Sequence, residues 1–330
     1  MKNNKLTVVS YLILPVILLM TVSFSLIFGA ESIKLTNGSL DEVSKIILFK
    51  LRLPRTLLVI LTGLLLGGSG CIFQNLFRNP LAEPGIIGMS SGASLGAVLS
   101  GYLGMSTVFG GFLSCQNLGA FAGAFVAGLI VISIAFLSRG ENSTLTLILC
   151  GTALGSFYSA VVSILLTIRS EQLHSVYVWM LGSFSGRGWN ELKFILIPSI
   201  LSLILIICLS PSLELFNGGE NVASSLGLNV NFVRIAVLFA GSLATSCAVC
   251  AGGTIGFAGL IAPHLARKIW GQKGVRLAVL SMFMGAVLLL ISDTIARIIL
   301  RPSEIPVGTI TSLLGAPFFV SIILNKWRAK

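Results

Sequence analysis

The residues able to do chemistry in this chain are few, and their spacing excludes most of it. A phosphate-cradling P-loop needs G-x-x-x-x-G-K-[ST], and the dipeptide Gly-Lys never occurs. H-E-x-x-H is absent. His174 and His264 belong to no catalytic or metal constellation, and Cys247-x-x-Cys250 has no histidine or acid beside it. The residues therefore predict no enzyme, no metal site and no cofactor in this chain.

What remains is polar residues in patterns. Asp293 precedes Arg297 by four positions, so the two share a helix face and can pair, a better reading than a proton site. Thr152, Ser156, Ser159, Ser163 and Thr167 recur at helical spacing, and Thr309, Ser312 and Ala316 repeat the pattern more briefly. Such a stripe is either a packing seam or the wall of a wet path. Arg52 and Arg55 of "RLPR" and Arg297 of "DTIAR" form a third group, suited either to snorkelling toward lipid headgroups or to receiving carboxylates of a soluble partner. In the polar interval of about 212–230, Gly218 and Gly219 break the chain. Glu220 to Leu226 can then form a short helix ended by Gly227.

The elements that carry these residues are built for lipid. Of 330 residues, 55% are hydrophobic and 10% charged, with a mean hydropathy of +0.98, outside the range of soluble domains. A helix crosses the hydrocarbon in roughly 20 apolar residues. That rule predicts one domain, 1–330, of about ten spans: Leu6 to Phe28, Thr56 to Phe77, Ile86 to Leu103, Leu113 to Leu137, Leu145 to Ile168, Leu192 to Leu209, Val230 to Ala251, Ile255 to Ile269, Leu277 to Leu300 and Gly308 to Leu324. The third, eighth and tenth are short or rich in Gly and Pro, as broken helices are. Leu6 to Phe28 is too long for a signal-peptide core and no A-x-A-like site follows it, so it reads as a retained span.

An even number of spans keeps both termini on one side. Placing them in the cytoplasm puts "HLARKIWGQKGVR" and "NKWRAK" inside, although only twelve of the 22 basic residues fall there. In "RNPLAEPGIIGMSSGASLGA", Pro80 and Pro84 stop the second span, Glu83 lies in the polar turn, and Gly88, Gly92 and Gly96 allow close approach of a neighbouring backbone.

Six ordered stretches together resemble the FecCD or BtuC-like permease subunit of ABC importers: "RLPRTLL", "QNLFRNPLAEPGIIGMSSGASLGA", "VYVWMLGSFSG", "ENVASSLGLNV", "GTIGFAGLIAPHLAR" and "DTIARIILRPSEIPVGTITSLLGAPFF". The resemblance implies an all-α polytopic membrane protein with about ten transmembrane helices and type II importer architecture. It implies a second permease subunit (a homodimer in the simplest case), two cytoplasmic ATPase subunits that hold the ATP and Mg, and a periplasmic or lipid-anchored binding protein. No nucleic acid is implied, and the setting is the cytoplasmic (inner) membrane.

Carried onto this sequence, the resemblance makes Arg52, Arg55 and Arg297 the sites that receive the binding protein. It makes Glu220, Ala223, Ser224, Leu226 and Gly227 the contacts with the ATPase. Thr152, Ser156, Ser159, Ser163, Thr167, Thr309 and Ser312 become the lining of the path, and Asn79, Leu81, Ser143 and Thr144 its cytoplasmic gate. The implied activity is ATP-driven import by alternating access, of a ferric siderophore first and of haem or cobalamin as alternatives. An ATP-independent transporter or channel and a scaffold that moves nothing are the competing classes, and Arg301 has no counterpart.

Overall fold

The computed structural model describes residues 2–29, 35–36, 39–102, 107–108, 113–137, 143–168, 173–216, 218–271 and 274–328. It is helical throughout apart from two antiparallel pairs of two-residue strands, Leu35–Thr36 with Ser39–Leu40 and Thr107–Val108 with Leu113–Ser114. The helices are α1 (Lys2–Ile27), α2 (Glu42–Ile46), α3 (Leu53–Leu76), α4 (Met89–Tyr102), α5 (Cys115–Leu137), α6 (Ser143–Ile168) and α7 (Leu173–Met180). After these come α8 (Trp189–Phe216), α9 (Glu220–Ser225), α10 (Val230–Gly252), α11 (Ala258–Trp270), α12 (Gly274–Ile298) and α13 (Val307–Arg328).

Each expected span overlaps a helix. Six helical stretches among the described residues are long and apolar enough to cross a membrane, from Glu42–Leu76 to Gly274–Ile298, and the apolar runs Ile13–Ile27 and Val307–Ile322 are shorter. The expectation of short third and eighth spans holds, since α4 has 14 residues and α11 has 13. Two differences have local causes. The "RLPR" arginines do not precede a helix but lie within one: α2 runs through a π-helical segment, Ile47–Arg52, into α3. The wider π turn accommodates Pro54, which cannot donate a backbone hydrogen bond and would crowd a regular α-turn. And α8 continues through Pro211 to Phe216, so the polar interval is shorter than 212–230.

α3 and α10 form the hub, with Leu58, Leu65, Ile72 and Phe73 of α3 and Val237, Leu238 and Ala244 of α10 fully buried. The neighbours α5 and α8, and α6 beyond them against α4, bury only part of their apolar surface and turn Val126, Ile164, Ile197 and Ile204 outward, as helices facing lipid do. Small residues set the spacing. A Cβ at Gly96 would lie 2.0 Å from the Gly119 carbonyl oxygen, and one at Gly92 2.8 Å from that of Gly123, so α4 and α5 touch backbone to backbone. The close approach expected of Gly92 and Gly96 is therefore present, whereas Gly88 faces Gly151 of α6 instead. In the same way α3 meets α12 at Gly67 and Ser281 and meets α11 at Gly70 and Gly259.

Candidate functional site

Three zones carry the polar residues, at the two ends of the bundle and at its middle. At one end, Arg55 reaches two acids. Its Nη2 lies 2.8 Å from Asp293 Oδ1 and its Nη1 2.8 Å from Glu304 Oε2. Arg297 Nε lies 3.1 Å from Asp293 Oδ2, an ion pair by distance, while its N–H donates to the Asp293 carbonyl at 3.4 Å. Arg297 Nη2 also donates to Ser25 Oγ of α1 at 2.6 Å. Arg52 donates to the carbonyls of Leu26 and Ile27, satisfying the last turn of α1.

These are not the exposed arginines expected from the sequence. Arg52 is 5% and Arg297 3% exposed, and Asp293 is fully buried. Burial of a guanidinium in a membrane bundle is tolerable only with such partners. The three nevertheless converge: all line one cavity of about 370 Å³, together with Lys50, Arg187 and Glu304. Arg187 was not singled out in the sequence. It sits between Gly186 (φ 69°) and Gly188 in the α7–α8 loop. Burial lowers its pKa from the ordinary arginine value, with Glu191 acting in the opposite direction. Among the described residues its guanidinium makes no salt bridge or side-chain hydrogen bond, unlike those of Arg55 and Arg297.

At mid-depth lies a cavity of about 750 Å³, bordered by Leu66 of α3, the end of α10, the connection 253–256 and the start of α13. Thr309 and Ser312 line it, as does Glu83, the one ionisable side chain on this wall. The sequence placed Glu83 in a polar turn at the membrane face. In the structure the chain folds back after α3, and Glu83 Oε1 accepts the Phe257 amide hydrogen at 2.5 Å, beside the contact of Gly70 with Gly259.

The α6 stripe lies elsewhere. Thr152, Ser156, Ser159, Ser163 and Thr167 are all on an exposed face of the single chain and border none of this cavity. Four of these hydroxyls donate to carbonyls of their own helix, at 2.8 to 3.0 Å. Ser159 reaches Ser91 of α4 at 3.5 Å. Hydroxyls satisfied in this way offer a solute weak, replaceable contacts.

The opposite end holds the turn after α3 and the short helix α9. Arg78 adopts a left-handed backbone (φ 47°) and the Asn79 amide donates to the Gln74 carbonyl at 3.1 Å, closing the helix. Asn79 Oδ1 then accepts the Leu81 amide at 3.0 Å, so these two of the four gate candidates sit in one side-chain-locked turn. Ser143 and Thr144 open α6, and their side chains lie outside the described residues.

α9 ends as expected, with Gly227 left-handed at φ 86°. Its outward face differs from the nominated contacts. Ala223 is fully buried against the bundle, and Glu220 is held by Arg234 at 2.7 Å. Ser224 and Leu226 do face out, and they share that surface with Val222 and Phe232, which the sequence reading passed over. Val222, Leu226 and Phe232 are 48, 64 and 65% exposed. Val222 and Leu226, four residues apart, share the outward face, whereas Ala223, one position on from Val222, points roughly a quarter turn away toward the bundle.

A helical membrane bundle with a largely apolar mid-depth cavity dotted with hydroxyls, a cationic cavity at one end and an apolar helical knob at the other has the features of a membrane permease. Residues 11–325 match the FecCD transport family, and the chain belongs to that family. It is 37% identical over 330 residues to the Fe(3+)-citrate import system permease protein YfmE of Bacillus subtilis, covering 98% of this chain and 96% of that one. It is 35% identical over 317 residues to the vitamin B12 import system permease protein BtuC of Salmonella paratyphi A, covering 96% and 94%. An inward-facing metal-chelate type ABC transporter superposes with a TM-score of 0.82 at 34% identity, covering 94% of this chain and 97% of that one.

Proposed function

We propose that this permease is the membrane subunit of an ATP-driven importer that carries an iron chelate, a ferric siderophore foremost, by alternating access. The observation that carries this reading is the pairing of a cationic cavity at one end with the exposed Val222, Leu226 and Phe232 surface at the other. The first receives a cargo-loaded binding protein from outside; the second seats an ATPase in the cytoplasm, where both termini then lie. ATP and Mg belong to that separate subunit, since this chain has no P-loop. Relatives named for Fe(3+)-citrate and for vitamin B12 support a bulky metal chelate as cargo without choosing among chelates.

A second copy of the chain completes the path. The α6 hydroxyls face outward from one chain while Thr309 and Ser312 line its own cavity, so the two stripes share a wall only across a subunit boundary. A homodimer is the simplest such arrangement. Reconstitution with the ATPase and binding protein tests the whole reading. Uptake of ferric chelate that requires ATP supports it; uptake that persists with an inactive ATPase overturns it.

Docking is more specific. Arg52, Arg55 and Arg297 already have internal partners, so charge reversal there disturbs the fold as well as the surface. Of the cations that line this cavity, Arg187 and Lys50 are those left, among the described residues, to receive carboxylates of the binding protein. Arg187→Gln is expected to weaken binding-protein affinity roughly tenfold or more and leave thermal stability unchanged. Titration of the binding protein onto the permease in nanodiscs measures this, and unaltered affinity would remove Arg187 from the interface.

A further inference from the structure

Among the described residues, the turn that carries Asn79 and Leu81 has a single long-range hydrogen bond, beside packing of Ala82 in the core and of Pro84 against Gly259 of α11. The Arg78, Asn79 and Ala82 amides donate to the carbonyls of Asn75, Gln74 and Asn79, and the Leu81 amide to Asn79 Oδ1. Every one of these bonds closes on the last turn of α3 or on the turn itself. Among the described residues, only Glu83 reaches another element by a hydrogen bond, where it accepts the Phe257 amide hydrogen.

Phe257 is an unusual place to be held. It is the N-cap residue of α11, it is left-handed at φ 64°, and its own side chain makes no capping bond. A carboxylate supplied from another element satisfies an orphan amide and meets the positive end of the helix dipole. The base of α11 is tied to α3 as well: Arg267 Nη1 donates to Gln74 Oε1 at 2.9 Å, and Gln74 Nε2 to the Leu260 carbonyl at 3.3 Å. On the other side, α10 runs from the Arg234–Glu220 pair at α9 to the break at Gly253 (φ 73°), and the chain from there leads to Phe257. A contiguous line of contacts thus joins the exposed α9 surface to the Asn79–Leu81 turn, with Glu83 as its last link.

We propose that Glu83 is a positioning residue for the gate: its carboxylate latches the Asn79–Leu81 turn to the start of α11, so that movement imposed at α9 is delivered to the turn. The latch rests on the importer reading given above. It requires an acceptor at this reach and places no demand on negative charge. Glu83→Gln keeps an oxygen in place, Glu83→Asp withdraws it by one methylene, and Glu83→Ala removes it.

The test uses the assembled transporter in inside-out vesicles, with Cys150→Ser and Cys208→Ser to silence native thiols and Leu81→Cys as reporter. The rate of labelling by a membrane-impermeant maleimide is measured with and without ATP, beside ATP hydrolysis; chelate uptake is followed separately in right-side-out vesicles loaded with ATP. In the Glu83 parent and in Glu83→Gln, ATP is expected to change the labelling rate by about tenfold, the scale set by one buried hydrogen bond. In Glu83→Ala the ratio falls to about one and uptake is lost, while hydrolysis continues, because a buried acceptor has been removed without touching the motor.

An Ala variant that keeps ATP-dependent labelling overturns the latch, and so does a Gln variant that fails as completely as Ala, which a merely structural loss would produce. If Glu83→Ala does not assemble, the comparison of Asp with Gln decides: Gln responding and Asp silent supports the latch, and any other pattern overturns it. Absence of ATP-dependent uptake in the parent would instead overturn the importer reading, and the latch with it.

Discussion

Replacing Asp293 by alanine is expected to strip most of the folded protein from the membrane fraction. Asp293 is fully buried and lies between Arg55 at 2.8 Å and Arg297 at 3.1 Å, linking α12 to α3. Alanine leaves the Arg297 guanidinium, 3% exposed, with only neutral partners at Ser25 and Thr294. Uncompensated burial of a charge costs about 3–5 kcal/mol. That is a large share of a total stability of about 5–15 kcal/mol. Arg55 retains Glu304, so the damage centres on Arg297.

Size-exclusion chromatography of the solubilised protein, followed by a thermal scan, measures the loss. Removing both partners should be milder than removing one, because paired hydrophobic replacements leave no orphan charge. Asp293→Leu with Arg297→Met is therefore expected to recover much of the folded fraction. A single Asp293→Ala variant as stable as the parent would show that the cluster does not hold α1, α3 and α12 together.

The same cluster shows where sequence reading succeeds and where it stops. The helices were legible because lipid imposes a length and an apolar composition on each, and broken segments announce themselves through Gly and Pro. Pairing of Asp293 with Arg297 was legible because a four-residue step fixes neighbours on a helix. The partners from other helices were not: Glu304 and Ser25 reach this site through tertiary packing that no local period encodes. Arg52, Arg55 and Arg297 therefore looked exposed when they are internal.

Glu83 illustrates the converse error. Its neighbours Pro80 and Pro84 mark a turn, and turns ordinarily lie in water. Here the turn re-enters the bundle, which is permitted because the polar backbone faces a cavity rather than lipid. An acid in a proline-flanked turn with no basic residue beyond Arg78 nearby was the available signal. The hydroxyl stripes on α6 and α13 were legible one helix at a time. Their separation onto different surfaces of one chain was not, because a period reports which residues share a face and never what that face meets.

At α9, Leu226→Asp combined with Phe232→Asp is expected to abolish co-purification of the ATPase under the proposed architecture. The two side chains are among the most exposed apolar groups at this end, beside Val222, and Asn221, Ser224 and Ser225 around them are polar and exposed. An apolar cluster with a polar rim, formed by α9 and the first turn of α10, is what a groove on a partner can grip. Truncating central anchors costs about 2 kcal/mol or more each, so two charged replacements should weaken assembly by roughly a thousandfold. The permease itself should stay intact, because neither side chain supports the bundle.

Ala223→Asp provides the contrast. It places a charge at a fully buried position and should dislodge α9 and lower permease stability together with assembly. Comparing affinity for the ATPase with the melting behaviour of the permease separates the two effects. Loss of assembly at unchanged stability in the Leu226, Phe232 pair, against joint loss in Ala223→Asp, identifies the outward face of α9 as the contact. Equal co-purification of the paired variant and the parent would move the ATPase contact to another surface.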